Sequence, residues 1–495
     1  MSANSNRSAG VLMHLTSLPG PGPIGAMGKQ AYDFIDFLEA AGQKIWQILP
    51  LTPPARGNSP YSPLGAFAGN PFLIDIPQLE KQKLLLSGSV ARYEDFPANR
   101  VDFDACERVV MPLLRLCHKE NGAALAGEVA AFRARQRFWL EDYALFMALR
   151  THYGNKNYLA WPTPLLRRES EALARAREEH ADEVDFWIFS QYLFFSQWSA
   201  LREYANRRGV RVFGDMPIYV DRESADLWAH GALFLLDKNL RPAFVAGVPP
   251  DAFSSDGQLW GSPLYDWEAM KNDGYAWWLM RLGAAADIYD MIRIDHFRAL
   301  ESYWAIPAGE KKARHGSWRK GPGIGFLDAM RAGVPGCVMV AEDLGLLTDD
   351  VRKLLRQSGL PGVSVMLFAF KPWERSSYLP HNMERNRIAY IGTHDNDTAI
   401  GWLDCAPAEE TQFARSYLNL NREEGEHWGF IRALYASVAD TAIVQMQDLL
   451  GLGNEARINI PSKEEGNWGW RLAPGLLTSD LARKMREFAS LYHRC

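Results

Sequence analysis

The chain has 495 residues, 47% apolar and 23% charged, enough for one large domain with insertions and a sizeable core. A net charge of −5 offers no basic face for nucleic acid and no polybasic anchor for an anionic membrane surface. Five cysteines, odd in number and without a C-x-x-C pair, argue against a disulfide framework or a structural zinc site and fit a reducing compartment.

The first ten residues are polar, and the apolar run 11–18 is interrupted by His14, Thr16 and Ser17. That is too short and too polar for a signal peptide, and no run reaches transmembrane length, so a cytoplasmic protein is expected. A short β-type run ending in polar residues then recurs at 11–16, 44–52, 210–220, 291–297, 338–344, 364–370, 388–395 and 456–461. These runs are rich in Val, Ile, Leu, Met and Phe with little alternation, as strands covered on both faces should be. Helix-like stretches lie between them. Residues 29–42 place Ala31, Phe34, Ile35 and Leu38 on one face, and 348–358 open on Thr348 as an N-cap. Eight strands interleaved with helices predict an α/β chain built as a (β/α)8 TIM barrel; a doubly wound open sheet is the alternative that periodicity alone leaves.

Two gaps are too long for plain barrel connections. Residues 71–208 fall between the second and third strands, and 132–150 and 184–208 carry apolar residues at helical spacing, which predicts a largely helical insertion. The charged run 166–183 within it reads as a solvated helix face. Residues 221–290, rich in Pro, Gly and aromatics, predict a second inserted subdomain between strands 3 and 4. No internal repeat divides the chain, so 1–495 is expected to be a single catalytic barrel with these subdomains grown from its loops.

The strand ends carry the chemistry. They supply Asp215 on the third strand, Arg293 and Asp295 on the fourth, Glu342 and Asp343 on the fifth, His394 and Asp395 on the seventh, and Arg457 and Asn459 on the expected eighth. In a barrel these ends converge on one face, where so many carboxylates would be costly unless they had a task. Cleaving a glycosidic bond needs two carboxyl groups in different protonation states. Arg293 and Asp295 are two apart, so an extended strand points both to one face, and the guanidinium favours an ionised carboxylate: Asp295 is the nucleophile candidate. Glu342 follows the apolar run 338–340, and burial would suit it to act as general acid, then base. Asp395, in His394–Asn396, is placed to hold sugar hydroxyls as the ring distorts. Aromatics make up 12% of the chain, with 17 tryptophans; most should be core, but sugar rings also pack on aromatic faces.

The combination of R-I-D-H-F-R, A-E-D-L-G and G-T-H-D-N-D resembles the α-amylase clan of retaining α-glucosidases. S-P-Y-S-P with A-F-A-G-N-P, G-D-M-P-I-Y-V, V-P-P-D-A-F-S-S-D-G-Q-L-W-G-S-P, and R-I-N-I-P with G-N-W-G-W-R narrow the resemblance to the amylomaltase, or 4-α-glucanotransferase, family. The matches run in order from about residue 11 to 471. The resemblance implies a barrel without the C-terminal β-domain of α-amylases, acting on maltooligosaccharides and α-1,4-glucans. It implies Asp295 as nucleophile, Glu342 as acid/base and Asp395 as transition-state stabiliser, with Asp215, Arg293 and His394 around the bound sugar. Tyr61 and the loop with Asp251, Phe253, Ser254 and Trp260 would contact neighbouring glucose units, and Asn459 and Asn467 would belong to the facing loop. Ser462 follows Pro461 where glycine is expected, and Lys463, Glu464 and Glu465 charge that loop, which bears on its closure and on product size.

Two other readings remain at this point. A retaining α-glucan hydrolase would use the same residues with water as acceptor, and an inert glucan-binding protein would have no need of all three carboxylates. A metal enzyme is disfavoured, since there is no H-x-H or H-E-x-x-H and Arg293 repels a cation at Asp295; no metal and no cofactor is expected.

Overall fold

Runs of branched apolar residues between turns become parallel strands when both faces are covered. The computed structural model describes residues 7–55, 57–89, 91, 96–250, 256–345, 347–461, 463 and 465–495. Its strands in chain order are β1 (Ser8–Leu12), β2 (Ile45–Gln47), β3 (Arg211–Met216), β4 (Phe244–Val248), β5 (Gln258–Pro263), β6 (Met291–Ile294), β7 (Ser302–Pro307), β8 (Ser317–Lys320), β9 (Met339–Ala341), β10 (Gly362–Val365), β11 (Arg387–Tyr390) and β12 (Thr441–Gln445). Eight of them form one parallel sheet in the order β10-β11-β12-β1-β2-β3-β6-β9. At the remaining seam the Ala341 N–H donates to the Pro361 carbonyl at 2.9 Å, so the sheet is a nearly closed (β/α)8 barrel. Gly10 lets β1 and β2 approach: a Cβ there would lie 2.7 Å from the Ile45 Cβ.

The eighth strand corrects the sequence reading. It is Thr441–Gln445, hydrogen-bonded between β11 and β1, whereas 456–461 holds no barrel strand and forms a loop after the short helical turn Asn454–Ala456. The alternation in R-I-N-I-P mimics a half-exposed strand, but T-A-I-V-Q is buried throughout. Burial on both faces is what a barrel strand needs. The other strands end earlier than their apolar runs do. Short helical turns such as Leu15–Ser17, Phe297–Leu300 and Met366–Phe368 follow within a few residues, and rim residues such as His14 and Asp295 lie between strand and turn.

Between β2 and β3 the chain is mainly helical, with Met111–Asn121, Ala126–Arg135, Leu140–His152, Ser170–Glu179 and the long Ala181–Arg207. Two buried glutamines of the last helix serve the rim. Gln191 pairs with both the N–H and the carbonyl of Gly69, at 2.7 and 2.9 Å, and Gln197 does the same for Asp75 at 2.8 and 3.1 Å. Each backbone group left unpaired there would cost about 1–3 kcal/mol, so the segment that carries Tyr61 is pinned to the helix.

The region between β3 and β6 is not a self-contained sheet. Strand β4 pairs antiparallel with β5 and with β7, and β7 with β8, so strands from before and after β6 form one sheet in the order β5-β4-β7-β8. The small sheet therefore straddles the turn that follows β6. After β12 the described residues form no named strand; the helix Ser479–Leu491 packs beside the first helix, Lys29–Ala40. Among the described residues no helix is long and apolar enough to cross a membrane.

Candidate active site

Asp215 and Arg293 are register partners on adjacent parallel strands, so their side chains leave the sheet side by side. Arg293 Nη1 donates to Asp215 at 2.7 and 2.9 Å and to Asp295 Oδ1 at 2.8 Å. One buried guanidinium thus bonds both carboxylates and offsets part of their mutual repulsion, which is how a barrel mouth can hold them. Burial pushes the Asp215 carboxyl up, against the pull of Arg293. Tyr61 donates its hydroxyl to Asp215 Oδ2 at 2.8 Å, and burial keeps that hydroxyl protonated by pushing its pKa well up.

Glu342 reaches the same centre from β9. Its Oε2 accepts from the backbone N–H of His296 at 2.8 Å and its Oε1 from that of Leu344 at 2.9 Å. Burial nevertheless raises its pKa to about 7, with Arg293 opposing and Asp295 adding to the shift. His296 has φ 50° and ψ 48°, a left-handed conformation that costs a side-chain-bearing residue about 1–2 kcal/mol. That conformation turns its N–H from the strand toward Glu342. Asp343 is turned elsewhere: it accepts from Arg387 Nη1 and the Val363 N–H, both at 2.7 Å, and ties β9 to its neighbours.

The fourth carboxylate of the site, Asp395, sits in the turn after β11. Asp395 Oδ1 accepts from Asn459 Nδ2 at 2.6 Å and lies 3.4 Å from His394 Nε2, while Arg457 holds the Asp395 carbonyl at 2.6 Å. His394 stacks on Tyr61, centroids 5.0 Å apart and 13° from parallel. Burial pushes the His394 imidazole down, with Asp395 pulling the other way. Asn467 spends its side chain inside its own loop, bonding Ile460 and Lys463. Trp260, 36% exposed, meets His296 edge-on at 4.8 Å. Asp251, Phe253 and Ser254, with Ser462 and Glu464, lie outside the described residues.

Tyr61, Asp215, Arg293, Asp295, His394, Asp395 and Asn459 are thus linked by hydrogen bonds, ion pairs and ring contacts, and Glu342 joins them through the backbone N–H of His296. Two more residues belong to the cluster. Trp468 lies 5.9 Å from Tyr61 and 6.1 Å from His394, and its place beside Asn467 in G-N-W-G-W-R was the available signal. His14 accepts from the Leu49 N–H at Nδ1, and burial, helped by His394, lowers its pKa to about 3; its strand-end position was the only hint. A separate cavity of about 260 Å³ reaches Asp215 from outside the barrel, walled by Phe67, Phe132, Trp139 and Phe195, and none of Asp295, Glu342 and Asp395 lines it. Among the described residues no group of three or more His, Cys, Asp or Glu is placed to hold a metal ion.

Known proteins resemble this chain over nearly its whole length. The family model described as 4-alpha-glucanotransferase (glycoside hydrolase family 77) matches residues 13–478. The 4-alpha-glucanotransferase of Clostridium butyricum is 42% identical over 98% of this chain and 100% of its own length. That of Thermus thermophilus is 43% identical over 99% of both chains. The amylomaltase from Streptococcus agalactiae, solved in complex with acarbose, superposes with a TM-score of 0.95 at 37% identity and covers 99% of each chain. The chain belongs to the 4-alpha-glucanotransferase family and is an enzyme of glucan transfer.

Proposed function

We propose that this enzyme passes α-1,4-glucan segments between maltooligosaccharides by a double displacement through a covalent glycosyl ester on Asp295. The observation that carries the reading is the pairing of two unlike carboxyls, one on the turn after β6 and one held against that turn from the end of β9. Asp295 has the Arg293 guanidinium at 2.8 Å, while Glu342, buried, is held toward its protonated form at about 7. An Asp295 oxygen attacks the anomeric carbon, the bond to the leaving O4 breaks, and the Glu342 proton passes to that oxygen. The 4-hydroxyl of an acceptor glucan then attacks the same carbon, returns its proton to Glu342 and releases Asp295, so configuration is retained.

Asp395 and His394 hold the hydroxyls of the sugar at the reaction centre, with Asn459 orienting Asp395. Asp215 and Arg293 position the nucleophile, and Tyr61 and Trp260 pack on sugar rings. The amylomaltase from Streptococcus agalactiae is in complex with acarbose, and the proposed seat of the glucan here is the barrel mouth around Asp295, Glu342 and Asp395. Five free thiols, two of them buried, support a cytoplasmic enzyme.

Incubation with maltotriose alone tests this. Longer maltooligosaccharides together with glucose are the expected products. Glucose and maltose without longer species would make water the acceptor and overturn the transfer mechanism.

A further inference from the structure

Two exposed tryptophans stand on the opposite edge strands of the small sheet, and both are held by residues of the turn after β6. On β5, Trp260 meets His296. On β8, Trp318 has the Arg298 guanidinium 3.9 Å from its ring centroid. Its register partner on β7, Trp304, meets it edge-on at 5.1 Å and 65°. Trp304 is fixed in turn, its Nε1 donating to the Ala313 carbonyl at 2.7 Å. Trp318 is 43% exposed and Arg298 only 7%. The guanidinium therefore covers the inner face of the indole, and the outer face is bare.

The strand that carries Trp318 is fastened to the same turn. The Gly321 N–H donates to the Glu301 carbonyl at 2.8 Å, and Lys320 forms an ion pair with Glu301. A Cβ at Gly321 would lie 2.3 Å from the Ala299 carbonyl oxygen and 2.5 Å from that of Leu300, so only glycine permits this approach. The indole consequently has a fixed position relative to the turn Phe297–Leu300, which begins two residues after Asp295.

A scattered surface tryptophan carries no such information. Trp373 is 65% exposed and packs on no ring or cation among the described residues, so no such contact fixes its rotamer. Trp318 has already lost rotamer freedom in the fold. A flat ligand stacking on its outer face orders only itself, and preorganisation of this kind favours binding. Sugar rings present flat C–H faces that pack on aromatic faces as other apolar surfaces do.

We propose that Trp318 is a remote glucan-stacking platform, which receives a glucose unit of a long chain away from the bond being exchanged. This rests on the glucan-transfer reading above. The occupant is the substrate's own chain because Arg298 and His296 join the platform and the reaction centre through one turn. One bare indole is also far smaller than the surface a stable protein partner buries.

The test compares KM and kcat for maltotriose and for a long linear α-1,4-glucan in the wild type, Trp318→Ala, Trp318→Phe and Trp373→Ala. We expect Trp318→Ala to raise KM for the long glucan about tenfold, the scale of losing one aromatic anchor, with far less effect on maltotriose. Trp318→Phe should recover most of the loss, and Trp373→Ala should change neither substrate. An unchanged KM for the long glucan in Trp318→Ala overturns the platform. Equal losses on both substrates in Trp318→Ala and Trp318→Phe overturn it too, because the ring would then only brace Arg298. A wild type that fails to elongate maltotriose would bring down the transfer mechanism itself, which separates the two failures.

Discussion

The Glu342 carboxyl accepts a hydrogen bond from the backbone N–H of His296 at 2.8 Å, and His296 directly follows Asp295 in the chain. The proposed proton donor, at the end of β9, is therefore tied directly to the turn that carries the proposed nucleophile. Their environments still differ. Asp295 is partly open and faces Arg293, whereas Glu342 is buried between backbone donors and the end of β9. Two carboxyls with divergent surroundings are the requirement for acid and nucleophile in a retaining glycosidic reaction.

The pH profile should show this. Glu342 is raised to about 7, and the donor form is the protonated one, so kcat/KM on maltotriose should fall as pH rises through about 7. With Glu342→Gln, poor leaving groups should stall while glycosyl fluorides, which leave without a proton, still react and lose that alkaline limb. An alkaline limb unchanged in the variant would assign it to another group.

Stability should carry the same signature with a definite sign. The folded pKa of Glu342, about 7, lies above its ordinary 4.5, so the group's favourable contribution is complete below about pH 4.5 and is lost as pH rises through about 7. Glu342→Gln avoids burying that charge. It should gain stability over the wild type at pH 8, by as much as about 3 kcal/mol, and gain little at pH 4. Urea unfolding at the two pH values measures the difference.

Asp295→Asn should abolish transfer while leaving the fold nearly intact. The side chain is almost isosteric, and Arg293 keeps its two hydrogen bonds to Asp215. We expect kcat to drop by at least about 10⁴-fold, the scale seen when a nucleophile is removed, with an unaltered thermal melt. Product chromatography from maltotriose gives the first quantity and circular dichroism the second. Substantial residual laddering would move the nucleophile elsewhere.

What was legible in the sequence followed local periods. Arg293 and Asp295 sit two apart, and although the strand stops at Ile294, Asp295 in the turn just beyond it still meets Arg293 in an ion pair at 2.8 Å. The apolar run before Glu342 announced its burial. The pairing of Asp215 with Arg293 is a register between strands 78 residues apart, which no local pattern encodes. The role of His296 is a backbone N–H, marked by a positive φ and by nothing in its side chain. The eighth strand was hidden for a different reason: T-A-I-V-Q runs straight into the helix Met446–Leu449, while the loop at 456–461 imitates strand alternation. Only the closure of the barrel decides between them.

Asn459 gives the sharpest test of that loop, because it leaves the sheet region entirely and still reaches the reaction centre. Its Nδ2 donates to Asp395 Oδ1 at 2.6 Å, a hydrogen bond to a carboxylate. Such a bond contributes about 1.5–3 kcal/mol, so Asn459→Ala should cost about ten- to a hundredfold in kcat/KM if Asp395 must be held in place to stabilise the transition state. Asn459→Asp keeps the size but sets a second carboxylate against the first, and like charges at that range cannot both stay ionised. It should therefore lose more activity than the alanine variant near pH 7 and recover relative to it as the pH falls. Steady-state rates of both variants between pH 5 and 8 decide the matter. Equal, pH-independent losses would mean that Asn459 shapes the loop and does not act through Asp395.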